Sequence, residues 1–285
     1  MVRDFSTADN PNLRATATAW LSGEHPEPVA PRPAATVMIV RDGTAGVEVF
    51  MLRRVASMAF APSTMVFPGG GVDRRDAVDL PWAGPGVLEW SARLGADEAA
   101  TRMLVVAAVR EVFEECGVLF ASTGAQGPLV DAGTAPWQGV RAGLVAREQS
   151  LAEVLLAHGL RLRSDLLRAH AHWVTPEFEA RRFDTRFFVA LMPEGATLDG
   201  ATSEADHAAW FPPQEVLDAA ARREAIVLPP TQVCLEQLAE CATAAEFFDQ
   251  TPVIRRLAPV LVFDDEGHAV LRVDFAGTKA PRGGG

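Results

Sequence analysis

The spacing of apolar and polar positions along the chain separates strands from helices. AATVMIV, residues 34–40, is a β-rich run, RDGTAG carries an Asp-Gly turn signal, and VEVFMLRR, 47–54, alternates apolar and polar residues, so together they predict a hairpin. Thr64 to Phe67 reads as a short strand entering Pro68-Gly69-Gly70-Gly71, where consecutive glycines indicate that backbone rather than side chains is wanted. Residues 72–97 mix prolines, glycines and acidic residues without sustained periodicity and read as an irregular insertion. Asp97 then offers an N-cap to a helical pattern from Glu98 to Cys116, which Gly117 stops. VLFAS, 118–122, predicts a strand, 123–137 a loop, and 141–157 and 160–169 helices. HWVTP, FDTRFFVALMP and HAAWFPP predict strand segments between 171 and 213; 214–222 and 231–248 are helical by period; 256–275 reads as a hairpin looped at Asp264 to Gly267.

Strands and helices interleave without strict βαβα alternation, so the expected class is α+β, a mixed β-sheet with helices packed on it. The expected organisation is a flexible N-terminal arm over 1–33, punctuated by HPEPVAPRP, one elaborated domain over 34–275, and a disordered tail over 276–285.

Composition narrows the function. The chain has 285 residues, 48% hydrophobic and 22% charged, which argues against disorder, and it lacks the long apolar run of a membrane span. With 37 acidic against 26 basic residues, net charge −11 and pI near 5.0, it lacks the basic surface that non-specific nucleic-acid binding needs. The first twenty residues show no basic run followed by an apolar core, so a cytoplasmic address is expected. Three cysteines without a C-x-x-C pair fit a reducing compartment and give no zinc signature; Cys234 and Cys241 read as small core residues on one helix face.

The chemistry concentrates in Arg110-Glu111-Val112-Phe113-Glu114-Glu115-Cys116-Gly117-Val118. Glu111, Glu114 and Glu115 fall within an arc of roughly 100° on one helix face, opposite Val105, Val109, Val112, Phe113 and Cys116. Three carboxylates at i, i+3 and i+4 repel one another, and a hard divalent cation such as Mg²⁺ or Mn²⁺ is the natural counterweight. Arg110, four residues before Glu114, can pair with it. A solvated acidic surface is the bland alternative; the glycine turn, whose carbonyls could add a hard oxygen ligand, favours the metal.

REVFEECGV, residues 110–118, matches the second half of the Nudix box at every defined position, and Pro68-Gly69-Gly70 resembles its opening. Gly70 and Arg110 lie forty positions apart, so the box looks split by an insertion near 72–97. The isolated glutamate between the halves has no obvious match: counting forward from Gly70 reaches Asp76, counting back from Arg110 reaches Arg102, and either Asp76 substitutes or the role is lost. A split box, with AATVMIV, MAFAPSTMVFPGG, Trp173-Val174-Thr175-Pro176 and Arg181-Arg182-Phe183-Asp184-Thr185, resembles the branch that includes the mammalian peroxisomal coenzyme A diphosphatase.

That resemblance implies a Nudix α/β/α sandwich with extra C-terminal helices and hairpin. It also implies hydrolysis, by a metal-activated water, of a pyrophosphate bond in a nucleoside diphosphate derivative, with coenzyme A or an acyl-CoA as the first substrate. Glu111, Glu114, Glu115 and the Gly69 carbonyl would hold Mg²⁺ or Mn²⁺ and Arg110 would orient them. Glu204 would be a further ligand or general base, its alternative being an ordinary surface glutamate. Arg53, Arg54, Arg181 and Arg182, with Arg186 nearby, could clamp phosphates. His170 and His172, at i and i+2, could share a face as ligands but lack a third partner, and Cys116 reads as core. Other substrates (ADP-ribose, NAD(H), dinucleotides, nucleoside triphosphates) and a non-catalytic nucleotide sensor stay open, as does a homodimer; no nucleic acid or membrane partner is expected.

Overall fold

Arg32–Gly43 is apolar at both parities through its middle, and a strand of that kind has to be covered on both faces. The computed structural model, which describes residues 1–6, 11–23, 25, 27–55, 61–200, 202 and 205–277, places it at the centre of the main sheet. In chain order the strands are β1 (Val2–Ser6), β2 (Arg32–Gly43), β3 (Gly46–Arg54), β4 (Met65–Val66), β5 (Gly69–Gly71), β6 (Trp82–Ala83), β7 (Ala121–Ser122), β8 (Arg161–Arg163), β9 (Arg168–Val174), β10 (Phe183–Leu191), β11 (Ala205–Phe211), β12 (Arg256–Leu257), β13 (Val260–Phe263) and β14 (Ala269–Asp274). The helices are α1 (Pro11–Leu21), α2 (Val87–Leu94), α3 (Glu98–Cys116), α4 (Ala135–Val145), α5 (Leu151–Ala157), α6 (Pro213–Ala221), α7 (Pro229–Ala239) and α8 (Ala244–Phe248).

The main sheet runs β11-β3-β2-β10-β9-β12, with β4 on β3 and β5 on β2. β2 and β10 pair in parallel, as do β9 and β12, while β2–β3, β3–β11 and β9–β10 are antiparallel, so the sheet is mixed as expected. Ala35, Val37 and Ile39 point to one core, built with Trp90, Leu94 and the apolar residues of α3, α4 and α5. Met38 and Val40 point to the other, built with Val233, Leu235 and Leu238 of α7 and Phe247 and Phe248 of α8. Helices on both sides of one sheet give the α/β/α layering. Among the described residues no helix is long and apolar enough to cross a membrane.

Several local expectations are corrected. The N-terminal segment is no free arm: Phe5 of β1 pairs with Leu271 of β14, 266 positions away, and Trp20 of α1 meets Phe178 edge-on. No local window can see such a pairing. Residues 160–169 are β8, a 3₁₀ turn at Ser164–Leu166 and the start of β9, not a helix, because Leu162 pairs with Trp82 and Ala121. The stretch 141–157 is two helices parted where Arg147 adopts φ 60° and Ser150 caps α5. The insertion carries α2, whose Trp90 and Leu94 are fully buried, so it contributes core. Cys234 is buried as expected, whereas Cys241 lies beyond α7 and is half-buried. The expectation for KAPRGGG falls outside the described residues beyond Gly277.

His170 of β9 is buried against Phe247, with its Nε2 2.9 Å from Gln237 Oε1, and burial pushes its pKa down to about 4. An unfolded chain binds that proton near pH 6.5, so stability present above pH 6.5 is lost as pH falls towards 4. The expected loss at pH 5 is about 2 kcal/mol. Urea unfolding of wild type and His170→Gln at pH 7 and pH 5 checks this: the variant should lose less on acidification, and equal losses would refute the assignment.

Candidate active site

α3 is held at both ends by its own sequence: Asp97 accepts from the Ala100 N–H at 2.8 Å, and Gly117, at φ 75°, donates to the Phe113 carbonyl at 3.0 Å. Val105, Val109, Val112, Phe113 and Cys116 are fully buried, as their spacing predicted. The acidic face is not surface either. Glu111 and Glu115 are at most 9% exposed, because β5 lies over them.

The glycine turn makes that approach sterically feasible. A Cβ on Gly70 would lie 2.6 Å from Glu111 Oε1, and one on Gly69 would lie 2.4 Å from the Ala35 carbonyl. The Gly69 N–H donates to Glu115 Oε2 at 2.8 Å. Glycine therefore brings the turn's backbone against two of the three carboxylates.

Arg110 fixes the rest. Its Nε and Nη2 both donate to Asp76, each at 3.0 Å, Nη2 also donates to the Gly71 carbonyl at 2.9 Å, and Nη1 donates to Glu111 at 2.7 Å and Glu114 at 3.3 Å. Burial opposes the charge on Arg110, but Glu111, Asp76 and Glu114 outweigh it and hold the guanidinium protonated. Burial pushes Glu111 up to about 7, with Arg110 opposing and Glu114 and Asp76 reinforcing the shift; Glu114 is raised by burial against the same opposition from Arg110. Two buried acids whose charged forms are disfavoured make a site that a cation would relieve.

Asp76 is the residue that pairs with Arg110 across the split. It sits 2% exposed in a 3₁₀ turn, Arg74–Ala77, in a capping box: Asp73 accepts from the Arg75 N–H at 2.9 Å and Asp76 accepts from the Asp73 N–H at 2.8 Å. Burial works weakly against Asp73, but Arg75 holds its carboxyl far below the ordinary range, chiefly through side-chain and backbone hydrogen bonds. Sequence reasoning missed Asp73, Arg75 and Arg141, although the Asp-x-x-Asp spacing is a local capping signal. Arg141 of α4, 4% exposed, donates to the Glu114 carbonyl at 2.9 Å and pairs with Asp199 at 2.7 Å, bracing the end of α3.

Glu111, Glu114 and Glu115 line a cleft of about 2620 Å³ that also takes in Gly69, Arg54 and Arg181. Arg53 turns away, paired with Asp206 at 2.7 Å on the surface, and does not line it. Arg182 is buried, donating to the Thr175 and Val29 carbonyls at 3.1 and 2.8 Å, so it anchors a loop where a substrate contact was expected. Arg186, also buried, is engaged by Asp184 and the Leu94 carbonyl. His170 and His172 are not a ligand pair: His172 bonds Asp184 at 2.8 Å, whereas His170 is engaged by Gln237 and Phe247. Glu204 lies outside the described residues.

Among the described residues no three His, Cys, Asp or Glu side chains already converge as a ligand set, since the carboxylates are engaged by Arg110 and the Gly69 N–H. The donor chemistry fits a hard cation nonetheless: three carboxylates and the carbonyls of a glycine turn are oxygen donors.

A family model, the NUDT19 Nudix domain, matches residues 91–238. Putative nudix hydrolase 7 of Caenorhabditis elegans is 34% identical over 202 residues, 71% of this chain and 58% of that protein. Acyl-coenzyme A diphosphatase NUDT19 of Xenopus laevis is 24% identical over 244 residues, 72% of this chain and 63% of that protein. The chain thus spans between 58% and 63% of these curated relatives. A crystal structure of a NUDIX hydrolase from Alicyclobacillus acidocaldarius superposes with TM-score 0.66 at 30% identity, covering 79% of this chain and 98% of that one.

Removing Asp76 strips two charge-assisted hydrogen bonds from a buried guanidinium. Asp76→Ala should cost about 3 kcal/mol in chemical denaturation and Asp76→Glu distinctly less. An Ala variant as stable as wild type would show that Arg110 does not depend on the insertion.

Proposed function

The chain belongs to the Nudix hydrolase family, and from that premise we propose that it hydrolyses the pyrophosphate bond of a nucleoside diphosphate derivative, with coenzyme A or an acyl-CoA as substrate. The observation that carries this reading is the buried cluster of Glu111, Glu114 and Glu115, pressed against a glycine turn, gripped by Arg110 and lining a large cleft. Glu111, Glu114 and Glu115, with the Gly69 carbonyl, would hold Mg²⁺ or Mn²⁺. Such ions, when bound, lower the pKa of water and neutralise charge on a transferring phosphoryl group.

The chain's own residues supply position. Arg110 fixes the rotamers of Glu111 and Glu114, and the Gly69 N–H orients one oxygen of Glu115. Burial excludes bulk water and strengthens each electrostatic contact. No nucleophilic side chain is needed: burial pushes the thiol of Cys116 well up, and it faces core. Support for an extended substrate comes from the apolar walls of the cleft, which include Phe67, Trp173, Phe187, Leu217, Leu228 and Leu271. The printed activity of the Xenopus relative points the same way.

The test is turnover of coenzyme A, acyl-CoA, ADP-ribose, NADH and diadenosine polyphosphates with Mg²⁺ or Mn²⁺. Expected are 4′-phosphopantetheine or its acyl form and 3′,5′-ADP, abolition by chelator, and a loss of about 100-fold or more in kcat for Glu115→Gln. Undiminished turnover in that variant would sink the ligand assignment, and turnover of ADP-ribose without coenzyme A would replace the substrate.

A further inference from the structure

Among the described residues eight carboxylates line the cleft, and all but one are engaged. Glu111 and Glu114 are held by Arg110, and Glu115 by the Gly69 N–H. Asp73 pairs with Arg75, Asp4 with Arg272 and Glu236 with Arg3, while Asp218 accepts from the Gln214 amide at 2.7 Å. Glu179 is the exception: its side chain has neither an ion pair nor a hydrogen bond among the described residues.

The loop that carries Glu179, residues 175–182 between β9 and β10, is fastened at both ends. The Thr175 N–H donates to the Phe183 carbonyl at 2.9 Å, and the Phe183 N–H donates back to Thr175 Oγ1 at 3.0 Å. Arg182 ties the loop to the Val29 carbonyl, and Phe178 is buried, edge-on to Trp20. The Glu179 N–H itself donates to the Pro176 carbonyl at 3.3 Å. A half-buried carboxylate held in this way, with no partner of its own, works against folding.

Its surroundings decide what it could bind. Burial is the one cause that raises the Glu179 carboxyl. The carboxylate cluster is different: Arg110, Glu114 and Asp76 all act on Glu111, and Arg110, Asp76 and Arg75 act on Glu114. None of those charges acts on Glu179, which therefore stands apart from the groups that would hold the metal and the scissile diphosphate. A carboxylate repels phosphate, and it accepts charge-assisted hydrogen bonds from N–H and O–H groups. In a nucleoside diphosphate derivative, uncharged groups of that kind lie on the nucleoside and on the moiety beyond the second phosphate.

We propose that the Glu179 carboxylate accepts a hydrogen bond from an uncharged N–H or O–H group of the substrate, away from the diphosphate, and acts in specificity and not in the chemical step. This rests on the diphosphatase reading above and deepens it. The partner that the fold withholds from Glu179 is supplied by the bound substrate, so the free energy lost in the empty cleft is recovered on binding.

Glu179→Met keeps the length of the side chain and removes the acceptor, whereas Glu179→Gln keeps one acceptor oxygen. With coenzyme A and Mg²⁺, the Met variant should raise KM about tenfold and leave kcat within about twofold, and the Gln variant should fall between it and wild type. In urea unfolding at pH 7 the Met variant should be at least as stable as wild type. Calorimetry with 3′,5′-ADP and with 4′-phosphopantetheine separates the two sources of the donor: the Met variant should bind one of them about tenfold more weakly and the other as wild type does. An unchanged KM, a fall in kcat alone, or a Met variant less stable than wild type overturns the proposal. If wild type does not hydrolyse coenzyme A, that substrate reading fails and calorimetry decides the role of Glu179 alone: both halves bound equally by wild type and the Met variant, or neither bound by wild type, overturns it.

Discussion

The buried guanidinium of Arg110 is the interaction on which the rest depends. Taking a cation out of water costs several kcal/mol unless nearly every donor finds a partner and opposite charge lies close. Here the fork is satisfied by Asp76, Glu111, Glu114 and the Gly71 carbonyl. These partners come from three parts of the site: the insertion, the helix itself and the glycine turn. Arg110 can be buried only when all three are in place, so folding and assembly of the carboxylate cluster are one event.

That coupling explains how forty residues can separate Gly70 from Arg110 without scattering the site. Lengthening a closed loop costs only a fraction of a kcal/mol per doubling, provided its ends are well fastened. Both ends are. Asp76 pins the insertion's start to α3, and Trp90 and Leu94 of α2 bury themselves in the core that α3 shares with the main sheet. Arg75 extends the brace by donating to the Arg147 and Gln149 carbonyls, and Arg141 then fastens α4 to the carbonyl of Glu114. The insertion is thus structure beneath the site rather than a loop spliced through it.

What could be read from sequence follows the range of the interaction involved. α3 was legible from cap to cap because Asp97, Gly117 and the apolar period act within a few residues. The β2–β3 hairpin, the three strands β9, β10 and β11, and the β13–β14 hairpin were legible for the same reason. The pairing of β1 with β14 and the hold of Arg182 on the Val29 carbonyl were not, since each joins residues more than 150 positions apart. Residues 160–169 misled because their apolar spacing suits a helix while cross-strand partners at Trp82 and Ala121 hold Leu162 extended. In the site, the identity of the glutamates was legible; their burial, and the pairing of Asp76 with Arg110, required the third dimension. Arg102 instead reaches Asp79 on the surface.

The acid excess takes on a different meaning once burial is known. Asp76, Glu111, Glu114 and Glu115 against Arg110 are four negative charges and one positive, a formal −3 in a region where water is scarce. One guanidinium cannot balance that, and Glu111 is raised chiefly by its burial, with Glu114 and Asp76 adding to the shift against Arg110. A solvated acidic face would show no such shift, because water would screen each carboxylate separately. The cluster is therefore electrostatically incomplete in a way that surface acidity is not, and the divalent cation of the proposed function would offset two of its three excess charges. The composition alone, with its spread of acids over the whole chain, could not distinguish this small buried group from the rest. What distinguishes it is that glycine at 70 lets backbone close over Glu111, so the charge is confined instead of dispersed.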